Sequence, residues 1–274
     1  MAMIINTNIS SIAAQNSLRT SSLNQQTSME RLASGMRINN AKDDAAGLSI
    51  STRMTAAIRG MAAGVRNAND GISATQTAEG SLAAIQDSLQ RIRELAVQAA
   101  NDTNGGGDST SLNNEAQALV SEINRVVGVT TFNGVKLIDG GFSGKSIQVG
   151  SGNTNDDKIT VSIAASDATA LGVNAISLAT TAGAGSALTA LDSAINKVSD
   201  LRASMGTYQN RMNAAITNLD NTSMNLQASR SRILDTDYAK ETTSLAKAQI
   251  IQQAATAMLA QANQSSQTVL ALLK

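Results

Sequence analysis

Ala78-Glu79-Gly80-Ser81-Leu82-Ala83-Ala84-Ile85-Gln86-Asp87-Ser88-Leu89-Gln90-Arg91-Ile92-Arg93-Glu94-Leu95-Ala96-Val97-Gln98-Ala99 sets apolar residues at 78, 82, 85, 89, 92, 96 and 99. The spacings alternate between four and three, the rhythm of a heptad seam in which one face of a helix packs along a partner. Asn104-Gly105-Gly106-Gly107-Asp108 closes the run, and Leu112, Ala116, Leu119, Ile123 and Val126 restart the same rhythm. A triple glycine between two seams predicts the turn of a helical hairpin.

Further along the chain the pattern returns. Leu188, Leu191, Ile195, Val198, Met205, Met212, Ile216, Leu219, Leu226 and Ile233 fit one register, with Arg202, Gln209, Ser223 and Arg230 in its gaps. A helix over this segment is about 70 Å long. Burying a Leu or Ile contributes roughly 1.5–3 kcal/mol, so the seam needs a partner, and residues 44–127 are the expected one. The two methionines at seam positions read as core filler.

The flanking ends are different. Ile5, Ile9, Ile12 and Leu23 fall near one face of the first segment, although polar residues interrupt the stripe. Periodicity fails around Ser34-Gly35-Met36-Arg37-Ile38-Asn39-Asn40, which predicts a break. Asp43 or Asp44 then caps the next helix, because a carboxylate accepts the free N–H groups of a first turn. In residues 240–274, Leu245, Ala248, Ile251, Ala255, Met258 and Ala262 form a stripe that Ile250, Ala254, Leu259 and Ala260 widen. One neighbour cannot cover so broad a band. The chain closes on Val269-Leu270-Ala271-Leu272-Leu273-Lys274, apolar residues that a soluble monomer rarely leaves exposed. The ends are expected to be assembly devices, disordered in the monomer and ordered by contact with other copies.

Residues 131–186 change texture. Ser146–Val149 and Lys158–Ile163 alternate polar with β-branched residues around a loop at Gly150–Asp157, which predicts a small β-hairpin. Thr180–Ser186 reads as a flexible return, with helix resuming at Ala187. The fold class is therefore mainly α: a long antiparallel helical bundle or coiled coil of amino- and carboxy-terminal sections, with a small β-hairpin region.

Composition excludes most chemistry. Among 274 residues there is no His, Cys, Pro or Trp, and 21 basic residues balance 21 acidic ones. Without His or Cys there is no Ser-His-Asp triad and no zinc site built on those ligands. Asp43-Asp44 and Asp156-Asp157 read as a cap and a turn, and Gly105–Gly107 lacks the Lys-Ser/Thr of a phosphate loop. No catalytic residue, metal site or cofactor is expected. Balanced charge points to neither nucleic acid nor an anionic membrane, and no apolar run reaches the roughly 18–20 residues that span a bilayer. The first residues lack a cleavable signal's basic and apolar regions, so secretion is expected by another route.

Specific strings carry a resemblance. Ile4-Ile5-Asn6-Thr7-Asn8, Arg31–Asn39, Lys42–Leu48, Leu89–Asn101 and Phe132–Leu137 resemble a bacterial flagellin, as do Gln209–Arg211, Ala228–Ile233, Asp235–Ala239, Gln252–Ala254 and Leu259–Gln264. The similarity covers about residues 1–140 and 187–274 in the family's order. The middle departs, holding about 45 residues where many flagellins insert large outer domains, so the chain resembles a minimal form. Ser265-Ser266 stands where Val-Pro is common, and Lys274 where Arg is frequent.

The resemblance implies an extracellular filament subunit for motility, secreted unfolded by type III export and self-assembling into a helical homopolymer. Residues 1–44 and 234–274 would form an inner coiled-coil domain, and 45–233 an outer-tube domain with the β region at about 131–186. Inter-subunit assembly would fall on Ile5, Ile9, Ile12, Ile251, Met258, Leu259, Leu270 and Leu273. The implied partners are other copies, an export chaperone on the carboxy-terminal segment, and the filament cap and hook–filament junction proteins. Recognition by a vertebrate Toll-like receptor would use Arg91, Leu95 and Glu115, which an assembled filament would hide. The rival reading is a hook–filament junction protein, which shares the terminal helices. A flagellin bearing a zinc protease is excluded by the missing His.

Overall fold

The computed structural model describes residues 7–271, with the backbone alone for 265–271. Six helices dominate: α1 (Ile9–Ser34), α2 (Ala45–Ala99), α3 (Gly106–Val129), α4 (Ala168–Leu171), α5 (Thr181–Leu234) and α6 (Tyr238–Ala271). Four short strands lie between α3 and α4: β1 (Thr131–Phe132), β2 (Val135–Lys136), β3 (Lys145–Gln148) and β4 (Lys158–Val161). Two compact units emerge, one comprising the described residues up to Ala56 and from Asn225 onward, the other Ala57–Met224. The long helices α2 and α5 each contribute residues to both.

In the Ala57–Met224 unit the expected seam is the core. Ala78, Leu82, Ile85, Leu89, Ile92, Leu95, Ala96 and Ala99 of α2 are buried, as are Leu191, Ala194, Val198, Met205 and Met212 of α5. Leu95 adds a position that the four-three count does not include. On α3 the fully buried residues are Ala116, Val120, Ile123 and Val127, while Leu112, Leu119 and Val126 are half-buried. The stripe on α3 is wider than one seam because a second element covers it.

That element is the segment after β4. Its Ile163, Ala168, Leu171, Val173, Ile176 and Leu178 are all buried. Three amide side chains of α3 satisfy its backbone: Asn124 Oδ1 accepts from Ala168 N (3.0 Å), Gln117 Nε2 donates to the Ile176 carbonyl (2.7 Å), and Asn113 Oδ1 accepts from Leu178 N (2.8 Å). A buried irregular segment needs such partners, since an unpaired backbone group costs as much as a lost hydrogen bond.

The β region is two hairpins. β1 pairs with β2 across Asn133 and Gly134, whose φ values of 49° and 76° are the positive pair that a two-residue hairpin turn requires. The second hairpin, foreseen from the alternation, pairs β3 with β4 from Lys145↔Val161 to Gln148↔Lys158. It lies against glycines of α2: a Cβ at Gly64 would sit 2.1 Å from the Val149 carbonyl oxygen, and one at Gly71 2.5 Å from Ile147 Cδ1. Only a residue without a side chain admits so close an approach.

Two local expectations shift, and a third narrows to one of its two alternatives. The turn between α2 and α3 is Ala100–Gly105, and Gly106 and Gly107 already belong to the first turn of α3. Asp108 Oδ2 accepts from Gly105 N (3.2 Å) and starts that helix. The return at Thr180–Ser186 is helical, because Thr180 Oγ1 accepts from Gly183 N (3.1 Å) and starts α5 six residues early. At the start of α2, Asp44 Oδ1 accepts from Gly47 N (2.8 Å), whereas Asp43 closes the preceding loop on the N–H groups of Asn39 and Asn40.

In the other unit α1 and α6 run antiparallel. Asn8 caps α1 by accepting from Ser11 N (3.0 Å), and Gly35 ends it with φ 70°. The connectors after α1 and α5 pair at a single bridge, Met36↔Asp235, with Arg37 N donating to the Leu234 carbonyl (2.7 Å) and Thr236 N to the Gly35 carbonyl (3.0 Å).

Candidate assembly surface

The α1–α6 pair is built the reverse of an ordinary amphipathic pair. Its buried positions on α1 are Ser11, Ser21 and Ser28, with Ala14, Leu18, Gln25 and Leu32 half-buried between and beyond them. On α6 they are Glu241, Ala248, Ala255 and Ala262, with Leu245, Gln252 and Leu259 half-buried. Both sets step by three and four, so the seam is a heptad whose core is serine and alanine. Small residues bring the backbones close enough for side chain to reach main chain. Ser21 Oγ donates to the Ala248 carbonyl (2.7 Å), Asn8 Nδ2 to the Ala262 carbonyl (2.9 Å) and the Tyr238 hydroxyl to the Leu32 carbonyl (3.2 Å).

The isoleucines, the methionines and Leu23 point elsewhere. Ile9 is 66% exposed, Ile12 49%, Leu23 59% and Met29 54%; on α6 Ile250 is 66% exposed, Ile251 40% and Met258 64%. Ile251 and Met258, with Ala13, Ala14 and Ala254, line an apolar groove of about 640 Å³ along the pair. Beyond Ser17 and Ile251, which border both, it continues into a more polar groove of about 690 Å³ bordered by Asn16, Thr20, Asn24, Lys240, Ser244 and Lys247.

Of the residues that sequence reading assigned to assembly, Ile9, Ile12, Ile251 and Met258 are thus exposed on this pair, and Leu259 is half-buried within it. Ile5 and Leu273 lie outside the described residues, as does the Leu270 side chain. The single stripe expected on α6 splits: Ala248, Ala255 and Ala262 face α1, while Ile251 and Met258 lie off that seam. Sequence reading missed the buried serines because it treated polar residues as interruptions. The available signal was their spacing of ten and seven residues, sums of the three- and four-residue steps of the heptad on which the alanines of α6 recur every seven.

The receptor residues separate as well. Arg91 Nη2 lies 2.9 Å from Glu115 Oε1 and its Nη1 3.0 Å from Glu94 Oε2. The hydrogen bond Arg91 donates to Glu115, then the one it donates to Glu94, pushes the guanidinium above its ordinary pKa. Arg91 and Glu115 are therefore brought together on the surface, whereas Leu95 is 1% exposed and belongs to the core. Among the described residues no cluster of His, Cys, Asp or Glu is arranged to hold a metal ion, and no helix is long and apolar enough to cross a membrane.

Comparison with known proteins agrees with this architecture. Residues 5–143 match the bacterial flagellin N-terminal helical region and residues 188–273 the bacterial flagellin C-terminal helical region. A flagellin of Halalkalibacterium halodurans is 46% identical over 274 residues, covering 99% of this chain and all of the relative. Flagellin B of Vibrio cholerae is 35% identical over an alignment of 375 positions that covers both chains fully, so it carries inserted residues that this chain lacks. Among solved structures, a Vibrio parahaemolyticus protein described as flagellar hook-associated superposes with a TM-score of 0.55 at 15% identity, over 70% of this chain and all of that one; the likeness is one of fold.

The chain belongs to the bacterial flagellin family, in a short form without large outer domains. It is a structural subunit that polymerises into the extracellular flagellar filament, and the junction-protein alternative is not favoured.

Proposed function

We propose that the α1–α6 pair is the device by which copies join, with Ile9 and Ile12 on one helix and Ile251 and Met258 on the other forming the contact faces. One observation carries this: the most buried seam positions are mainly serine and alanine, with leucines only half-buried between them, and the isoleucines and methionines lie outside. A pair meant to stand alone would bury its isoleucines, since that burial is worth roughly 1.5–3 kcal/mol each. Exposed apolar patches of this kind mark interaction sites. Leu259, half-buried in the seam, is assigned to the same assembly role in this reading, as are Ile5, Leu270 and Leu273, whose side chains lie outside the described residues.

The domain division follows. Residues 1–44 and 234–274 act as the inner assembly domain and 45–233 as the outer-tube domain. The support is the change of core, from serine and alanine between α1 and α6 to leucine, isoleucine and methionine in the Ala57–Met224 unit. Removing residues 255–274 is expected to leave the larger unit folded, by circular dichroism and thermal melting, and to abolish filaments in electron micrographs. Normal filaments from that truncation would overturn the proposal.

The remaining partners belong to the same reading. The chain leaves unfolded through type III export, with a chaperone holding the carboxy-terminal segment, and meets the junction proteins at one end of the filament and the cap at the other. Its freedom from disulfides and proline suits threading, because neither bond reshuffling nor prolyl isomerisation slows refolding. A second reading rests on the Arg91–Glu115 pair: a vertebrate Toll-like receptor recognises the free subunit there, with Leu95 acting from beneath by holding α2 in place. A receptor reporter assay comparing Arg91→Ala monomer with the parent tests it, and undiminished signalling would end it.

A further inference from the structure

Long heptad helices have a register problem. On α5 the buried Leu191, Val198, Met205 and Met212 are seven residues apart. On α2 the buried Ala78, Leu82, Ile85, Leu89, Ile92 and Ala96 repeat with the same period. Sliding one helix past the other by seven residues therefore sets apolar side chains against apolar side chains again. The seam supplies cohesion and leaves the axial position degenerate.

Polar residues at the flank of that seam are not degenerate. Arg202 Nη1 donates to Gln86 Oε1 (2.7 Å) and Gln209 Nε2 donates to Glu79 Oε2 (3.0 Å). Arg202 Nη2 also lies 4.0 Å from Glu79 Oε1. Each pair is displaced by seven from the other on both helices, in opposite directions, so one antiparallel register satisfies both. All four residues are half-buried. Arg202 Nε is buried without a hydrogen-bond partner, a cost that apolar residues at this site would not carry.

A slip of one heptad is unfavourable either way. In one direction Arg202 comes opposite Arg93 and Ile216 opposite Glu79. In the other Gln209 comes opposite Ile72 and Ile195 opposite Gln86. Each slip keeps one polar pair, Gln209 opposite Gln86 in the first and Arg202 opposite Glu79 in the second, but loses the other and leaves a half-buried polar group facing a large aliphatic side chain; the first also sets two cations together. Polar groups flanking a coiled-coil seam choose register at some expense in stability.

We infer that Glu79, Gln86, Arg202 and Gln209 are the register-determining residues of the α2–α5 pair, setting the axial position that the apolar seam leaves open. The exposed Arg93–Asp192 pair at 2.6 Å is offset by three residues, about one turn, from these pairs and, lying in solvent, contributes little.

The cysteine-free sequence makes the test clean. Arg93→Cys with Asp192→Cys reports the native register; Arg93→Cys with Ser199→Cys, or with Gly185→Cys, reports a slip of seven in one direction or the other. A short bifunctional thiol cross-linker bridges positions whose side chains meet in an ion pair and not positions a further heptad, about 10 Å, along the helix. In the parent it is expected to join the 93–192 pair alone. Replacing all four polar residues by Leu is expected to raise thermal stability and to yield at least about tenfold more slipped cross-link.

If the fourfold variant does not fold, Arg202→Leu with Glu79→Leu is read in the same way. The exchange Arg202→Gln with Gln209→Arg keeps a donor opposite each acceptor and is expected to retain the native pair alone. Silent slipped pairs in the Leu variants would overturn the inference, as would a slipped pair in the parent.

Discussion

The Ser21 hydroxyl donates to the Ala248 carbonyl across the α1–α6 pair at 2.7 Å, with Ser21 4% exposed. A residue that reads as a polar interruption is thus the centre of the seam. Its size matters more than its polarity, because Ala248 offers no volume to yield. Ser21→Ala is expected to cost about 1 kcal/mol, the net value of one hydrogen bond, and Ser21→Leu roughly 1–3 kcal/mol by overpacking. Thermal dissociation of filaments made from each variant measures the order.

The exposed faces of the same pair respond oppositely. Ile251→Ser with Met258→Ser is expected to leave the helical content of the monomer unchanged while raising the critical concentration for polymerisation. At roughly 1.5–3 kcal/mol per buried side chain, the increase is at least about tenfold. Sedimentation of polymer against total protein reads it directly.

Glycines along the helices divide by what surrounds them. Gly64→Ala is expected to push the Val149 carbonyl away and to cost roughly 1–3 kcal/mol. Nothing lies within 4 Å of a Cβ at Gly80, so Gly80→Ala is expected to stabilise by about 0.5–1 kcal/mol through helix propensity. Chemical denaturation of the two variants should move in opposite directions from the parent.

Asp157 makes the loop before β4 sensitive to acid. Its carboxylate accepts from Thr154 Oγ1 (2.6 Å), Thr154 N (3.0 Å) and Gly152 N (3.3 Å). The Thr154 hydroxyl, chiefly, holds its pKa below the ordinary aspartate value, with burial opposing. A depressed carboxylate stabilises the fold above its unfolded pKa of about 3.9 and loses that contribution as pH falls through the lower folded value. Melting temperature should therefore drop below about pH 4, and less steeply in Asp157→Asn.

Recognition and folding can be separated around Arg91. Arg91→Ala and Glu115→Ala remove an exposed ion pair and are expected to cost no more than about 1 kcal/mol. Leu95→Ala empties a core position and is expected to cost about 2–5 kcal/mol. If receptor signalling falls for all three while melting temperature falls only for Leu95→Ala, contact and support are assigned separately.

Much of the fold was legible from residue spacing alone. The seams at 78–99 and 188–233, the break near Gly35 and the β3–β4 hairpin follow from periods of 3.5 and 2, which depend on residues close in the chain. Illegible were the buried serines of α1, the early start of α5 at Thr181 and the segment of Ala168–Leu178 packed on α3. Two of these depend on partners distant in sequence, Ala248 for Ser21 and the amides of Asn113, Gln117 and Asn124 for the covering segment, while the early start of α5 is a local cap by Thr180 on Gly183 N that apolar periodicity does not register.

The amino-acid sequence by itself determined that this protein is long, helical, without His or Cys and a member of a filament-forming family, because periodicity, composition and local strings are properties of the chain. Only the tertiary structure decided which side of each end helix is inside. A heptad of small residues and a stripe of large ones compete for the same seam, and sequence hydrophobicity favours the large. Close backbone approach and side-chain-to-carbonyl hydrogen bonds favour the small, leaving Ile9, Ile12, Ile251 and Met258 outside.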